Sequence, residues 1–242
     1  MQEQVYDYIY QREMEHWWYR VRRQLVKRLV ARYSQGTAVR ILDIGCGTGA
    51  LLRELSAYGE ASGIDVSEKA VQYCKERGLT RVSLGDAAKL PFPDASFDIV
   101  VILDVLEHIE DDAAGCNEIK RVLKPGGHAI IAVPAFMFLW GVTDVLSHHY
   151  RRYTRPRLLR CVRASGLRVE YATYFNTFLF PAIAFVRLAV RVLSIPMRSE
   201  QNLESPFVNN ILFHIFSLEA RLIPYIRFPF GVSVLALVRK ES

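Results

Sequence analysis

The sequence predicts an α/β fold built on a doubly wound, mostly parallel seven-stranded sheet of the Rossmann-like kind. Three observations carry this expectation. Five short runs rich in Val, Ile and Leu alternate with stretches of helical composition between residues 39 and 133, and strands that alternate with helices pair in parallel through right-handed crossovers. A glycine-rich turn follows the first of these runs. Two more strand-like runs, Leu167–Thr173 and Gly231–Arg239, complete the sheet.

In chain order, Arg12–Tyr33 reads as one amphipathic helix. Met14, Trp17, Trp18, Val21, Leu25 and Leu29 recur at helical spacing with Arg and Lys between them. The five buried strands are read at Val39–Asp43, Ala61–Asp65, Val82–Gly85, Phe97–Leu103 and His128–Val133. Helices are read at Leu51–Tyr58, Ser67–Arg77 and Asp111–Val122, with Ser67 as an N-cap. Thr154, followed by Arg155 and Pro156, opens another helix that Gly166 ends. Residues 174–230 then separate the last two strands, far more chain than a hairpin loop needs. The stretch Tyr174–Pro196 is apolar, but Arg187 and Arg191 lie within it and Pro181 interrupts it, which makes it a poor transmembrane span. A helical lid fits better, or a helix that contacts an anionic membrane through residues 174–197.

Composition narrows the function classes. A chain of 242 residues with 51% hydrophobic and 23% charged residues forms one sizeable domain, and disordered, collagen-like and disulfide-scaffold classes are excluded. Cys46, Cys74, Cys116 and Cys161 form no CxxC pair. No metal site or disulfide framework is expected, and a reducing, cytoplasmic setting is. No apolar run follows Glu3, Asp7, Arg12 and Glu13, so no signal peptide is expected. The net charge of +6 is uneven: residues 1–145 hold 17 Lys and Arg against 20 Asp and Glu, and residues 146–242 hold 14 against 5. A basic half suits an anionic membrane surface, an acidic substrate or nucleic acid, or is a solvated helix face.

The stretch VRILDIGCGTG (Val39–Gly49) carries the chemistry. A strand ends at Asp43, and Gly45, Gly47 and Gly49 follow at alternate positions before a helix. Glycine there permits positive φ and close approach of a ligand, at the strand ends where open parallel sheets bind ligands. Alone the signal is ambiguous. Gly45, Gly47 and Ala50 also fit the dinucleotide pattern GxGxxA, and Asp65 lies 20 residues beyond Gly45, where a ribose-binding acid belongs.

Later motifs separate the readings: Gly85-Asp86-Ala87 after the third strand, LPFPDASFDIVV into the fourth, LDVLEH at Leu103–His108, and VLKPGGHAIIAVP at Val122–Pro134. Together they resemble the class I S-adenosylmethionine-dependent methyltransferases, in the branch with many small-molecule enzymes, over about residues 39–173. The resemblance implies that Asp43, Gly45, Cys46, Gly47 and Gly49 hold the methionine part of S-adenosylmethionine. It also implies that Asp65 and Val66 meet the ribose, Asp86 and Ala87 the adenine, and Leu103 and Asp104 the region beside the donor. Trp18 and Arg22 belong to an N-terminal helix that closes over the donor, with Arg22 a partner for its carboxylate. The product is S-adenosylhomocysteine. The physics agrees, because four strand-end acids suit a sulfonium and an ammonium, whereas a pyrophosphate favours positive charge. One domain over residues 1–242 is expected, with a cap helix at 12–33, a cofactor-binding core at 39–173, the apolar insertion at 174–230 and the last strand at 231–239.

The acceptor side is read from WGVTDVLSHHYRRYT (Trp140–Thr154). In this place the family often shows a Trp, an Asp and a His-x-Arg-Arg-Tyr stretch, which Trp140, Asp144, His149, Arg151, Arg152 and Tyr153 match. His149, and after it His148, are the candidates for a base or orienting group; His108 reads as a loop support. Arg151, Arg152, Arg155, Arg157, Arg160 and Arg163 form a basic cluster beside the apolar insertion. An acceptor with an apolar body and an anionic group, small, lipid-like or lipid-linked, follows from that pairing. Nucleic acid is not expected, since no amino-methylating N-P-P-Y motif follows the fourth strand. A nicotinamide-dependent oxidoreductase and a non-catalytic, membrane-associated adaptor that binds the cofactor remain the alternatives.

Overall fold

A computed structural model describes residues 3–34, 39–193 and 205–241. Helices α1 (Glu3–Arg12) and α2 (Trp17–Tyr33) precede β1 (Val39–Ile44), α3 (Ala50–Leu55), β2 (Gly59–Asp65), α4 (Glu68–Glu76), β3 (Val82–Leu84) and β4 (Phe97–Leu103). Next come α5 (Asp112–Val122), β5 (Leu123–Pro134), α6 (Val142–Leu146), α7 (Arg155–Ala164) and β6 (Arg168–Phe175). The chain closes with α8 (Phe180–Val192), α9 (Pro206–Leu222) and β7 (Ser233–Arg239).

The seven strands form one sheet in the order β3-β2-β1-β4-β5-β7-β6. β1 pairs in parallel with both β2 and β4, β4 with β5, and β2 with β3. β7 inserts antiparallel between β5 and β6. The expected mostly parallel, doubly wound sheet is present. Its chain order reverses between β1 and β4, so the crevice at their carboxyl ends is the place for a ligand. The register puts Ile44 opposite both Ile64 and Ile102, which brings Asp43, Asp65 and Asp104 to one edge.

Local signals explain the helix starts. Ser67 accepts from the Ala70 amide, Asp111 from Ala113 and Thr154 from Arg157, each satisfying an orphan amide of its helix. The N-terminal segment departs from expectation. Residues 12–33 are not one helix: the chain turns at residues 13–16, and His16 caps α2 by accepting from the Trp18 amide at 3.3 Å. Glu13 is the physical reason. Its buried carboxylate bonds to Thr48 and lies 2.7 Å from Arg77, which pulls the chain inward and leaves Met14 exposed. Helix α1, absent from the sequence reading, lies against α4, where Tyr10 stacks on Tyr73.

The insertion between β6 and β7 holds α8 and α9. α9 packs on α2, with Phe216 stacked on Trp18 and edge-on to Trp17. α8 buries none of its residues. Among the described residues, no helix is long and apolar enough to cross a membrane. Residues 194–197 of the expected membrane-contact segment lie outside the described residues.

Candidate active site

A cavity of about 1120 Å³ opens at the carboxyl ends of the parallel strands and continues under α8. Its sheet-side wall is the turn after β1. Gly45 and Gly47 have φ of +70° and +55°, and a Cβ on Gly45 would come within 2.2 Å of Val105. A Cβ on Gly47 would meet nothing within 4 Å: this backbone faces open space. Asp43, Cys46, Asp65, Val66, Asp86, Ala87, Leu103 and Asp104 line the same end, with Trp18 and Arg22 across from them. Gly49 does not line the cavity. It caps α3 at φ +86°, and its absent Cβ faces Cys74 and Leu79.

The four acids differ in electrostatic state. Asp43 is buried, with no hydrogen-bond partner for Oδ2 among the described residues, and burial pushes its pKa up to about 8 against the pull of Arg22. Asp65 is raised by burial too, although the amides of Ser67 (3.0 Å) and Gly47 (2.9 Å) donate to it. The Tyr6 hydroxyl of α1 also donates to Asp65 at 3.2 Å. Asp86 is exposed and accepts from the Ala88 amide. Asp104, at a positive φ of 54°, is ion-paired with Arg22. Arg22 therefore meets a carboxylate of the protein itself at the place where a donor carboxylate was expected.

The other end of the cavity is built by the segment after β5 and by α8. Ile183, Val186, Arg187, Val190 and Arg191 form one stripe of α8 that faces the cavity, the i, i+3, i+4, i+7, i+8 spacing of one helix face. Phe185, Leu188 and Val192 occupy the opposite, exposed face. Asn176, buried with no partner for Oδ1 among the described residues, and Trp140 complete this end. His149 lines it while His148, at φ +55°, is exposed at the rim.

A buried network holds His149. Its Nδ1 lies 2.8 Å from Asp144 Oδ1, and Arg152 donates to both Asp144 oxygens at 2.8 and 2.9 Å. Burial alone would raise the Asp144 pKa, but the bonds from His149 and Arg152 hold it well below the usual carboxylate range. An ionised Asp144 only accepts, so Nδ1 carries a proton and the Nε2 side of the ring is turned to the cavity. Tyr153 and Arg151 both reach Asp112, at 2.8 and 3.1 Å, and tie the segment to α5. The basic cluster disperses accordingly. Arg152 lines the cavity but is paired with Asp144, whereas Arg151, Arg155, Arg157, Arg160 and Arg163 do not line it; Arg187 and Arg191 of α8 are the further cations at the acceptor end.

Sequence reasoning did not single out Tyr6, Glu107, Asn176, Arg187 or Arg191 as site residues. Glu107 was legible only as part of LDVLEH. Asn176 ends an apolar strand run, and a lone amide at a strand's carboxyl end is the one signal that pointed to it.

Comparison with known proteins bears on this geometry. A family described as a methyltransferase domain matches residues 42–131, from β1 through β5. Residues 42–131 are thus similar to a methyltransferase domain, which supports the class I S-adenosylmethionine-dependent resemblance of the motifs. A demethylmenaquinone methyltransferase of Tropheryma whipplei is 33% identical over 140 residues, 55% of this chain and 56% of that one. One from Staphylococcus aureus is 38% identical over 112 residues, 43% of this chain and 46% of that one. The match thus spans about half the length of these curated relatives. Among solved structures, the [4+2]-cyclase SpnF superposes with a TM-score of 0.58 at 25% identity, covering 89% of this chain and 80% of that one. A chain of the Haloferax volcanii complex of the Trm112 activator with a methyltransferase gives 0.63 at 20% identity, covering 98% and 96%. The fold of the methyltransferase domain is shared with both.

S-adenosylmethionine is the cofactor of this domain family, and the residues present fit it. Asp43 Oδ2 is an orphaned buried acceptor suited to an ammonium, the open side of Gly47 admits a ligand against the backbone, and the ring of acids suits a cation.

Proposed function

We propose that the protein transfers a methyl group to a small, lipid-like acceptor with an apolar body. One observation carries this reading: a single cavity joins a glycine-lined, acid-ringed end to an apolar end roofed by α8. In it, Asp43, Gly45, Cys46 and Gly47 hold the methionine part, Asp65 and Val66 the ribose, and Asp86 and Ala87 the adenine. Gly49 serves by shaping the turn. Leu103 and Asp104 flank the methyl position, and Trp18 and Arg22 close that end. When bound, S-adenosylmethionine supplies a methyl group already activated on its sulfonium. The chain's task is then alignment and exclusion of water, a proximity effect that contributes about 7–11 kcal/mol in favourable cases. His149 orients the acceptor through Nε2, His148 stands at the rim, and Arg187 and Arg191 meet any anionic group. The similarity to demethylmenaquinone methyltransferases supports an apolar, quinol-like acceptor.

The outer face of α8 continues the same reading. Phe185 and Val192 are 72% and 79% exposed, as is Phe207 of α9 at 75%. These faces rest on an anionic bilayer, which the excess of Lys and Arg in residues 146–242 favours and which delivers a lipid-like acceptor to the cavity.

Titration calorimetry with S-adenosylhomocysteine and with NAD is the first test. The homocysteine compound should bind one per chain, NAD should give no heat, and Asp65→Ala should weaken binding about 10- to 100-fold for each charge-assisted bond lost. Turnover is then sought with demethylated quinols. Binding of NAD overturns the reading, and donor binding without turnover across a broad acceptor panel turns it to the non-catalytic adaptor.

A further inference from the structure

At the inner edge of the acceptor end, Glu107 follows β4, and its side chain is 0% exposed. Neither carboxylate oxygen has a hydrogen-bond partner among the described residues. Burying an ionised carboxylate without a partner costs several kcal/mol, and the sheet provides no compensating donor. Two imidazoles converge on it. His149 Nε2 lies 4.0 Å from Glu107 Oε1, too far for a hydrogen bond. The ring of His108 meets that of His149 edge-on, with centroids 4.5 Å apart.

Each histidine has its second ring nitrogen engaged, His149 with Asp144 and His108 with the main chain of Ser147. In its neutral form each ring then has one nitrogen lone pair to offer to the common space. Metal-binding histidines are oriented in this way, by a carboxylate or backbone acceptor on the far nitrogen. One ligand atom from each of Glu107, His108 and His149 lies within 4.8 Å of the others. Atoms bound to a common tetrahedral zinc at about 2.0–2.2 Å lie about 3.3–3.6 Å apart, so side-chain shifts of about 1 Å close the set.

We propose that Glu107, His108 and His149 form a binding site for a divalent first-row transition ion at the acceptor end of the cavity. Two imidazoles and one carboxylate suit zinc, manganese or ferrous iron better than magnesium or calcium, which prefer all-oxygen sets, or copper(I), which prefers thiolates. Three protein ligands leave positions open toward the cavity for water or an acceptor oxygen. Ion binding itself is independent of the methyl-transfer reading; only the ion's contact with an acceptor oxygen rests on it, and there His149 orients the acceptor through the ion.

The test uses the full chain after removal of metals with a chelator. Zn²⁺ is titrated calorimetrically, and Co²⁺ is followed by visible absorption. One ion per chain is expected, with cobalt d–d bands and no thiolate charge-transfer band, since the ligand set holds no sulfur. Glu107→Gln and His108→Asn should each weaken zinc at least tenfold, while His214→Ala, on the exposed side of α9, should not. Absence of zinc binding, a thiolate band, or affinity unchanged in both ligand variants overturns the site. If a variant does not fold, the wild-type cobalt spectrum decides. S-adenosylhomocysteine binding is measured in parallel: its loss counts against the methyl-transfer reading and leaves the ion site standing.

Discussion

At the scale of single residues, the donor end is governed by groups that burial has taken out of their ordinary ionisation. Burial pushes the pKa of the Asp43 carboxyl up to about 8, well above the usual carboxylate range. Its folded state holds a proton that the unfolded chain releases. The stability from this group is therefore full below about pH 4 and is lost as the pH rises through about 8. A bound ammonium favours the ionised form, so S-adenosylhomocysteine affinity should rise between pH 6 and 8.5, and Asp43→Asn should flatten that profile in calorimetry. A flat wild-type profile would detach Asp43 from the ligand. Gly45 makes a different demand. Alanine there must adopt φ +70° and place its Cβ 2.2 Å from Val105. Gly45→Ala should lower stability by about 1–3 kcal/mol in denaturant unfolding and weaken donor binding with it.

Among the elements, α8 is held by its own contacts, Phe180 on Phe136, Phe138 and Phe230 and Arg187 donating to the Leu139 carbonyl, and at its start by one buried carboxylate. Glu219 of α9 accepts from the amides of Thr177 and Phe178 at 2.7 and 2.8 Å, just before α8 begins. Glu219→Ala leaves those amides without their acceptor, at a cost of about 1–3 kcal/mol. Faster limited proteolysis near residues 176–182 is expected, with S-adenosylhomocysteine binding preserved, because the bonds lost lie just before α8 and not at the donor end. Unchanged proteolysis would show that α8 is anchored elsewhere. The sequence reading offered a lid and a membrane face as alternatives for this segment. Apolar residues lie on both sides of α8, so periodicity could not choose between the two, because such a helix has no single apolar stripe to read.

Across the whole molecule, charge and exposed apolar surface point the same way. The basic half of the chain includes both insertion helices. Co-sedimentation with vesicles should therefore increase with anionic lipid content and fall as salt rises from 0.05 to 0.5 M, roughly where the Debye length shrinks below side-chain dimensions. Phe185→Ser with Phe207→Ser should reduce it at every salt concentration. Equal binding to neutral and anionic vesicles would remove the electrostatic part of the proposal.

Strands, helix caps and the glycine turn after β1 were readable from sequence alone, because each is set by contacts within a few residues: a side-chain period, a capping hydroxyl, a backbone needing positive φ. The fold class and the ring of strand-end acids follow from these local rules. The tertiary structure decided what lies far apart along the chain: the turn that Glu13 imposes through Arg77, Tyr6 on Asp65, β7 antiparallel between β5 and β6, and Glu107 and His108 beside His149. Side-chain periodicity records which face of an element is buried, but not which distant element covers it. That choice is made by strand order and by the free energy of burying charge, and both come into being only when the chain closes on itself.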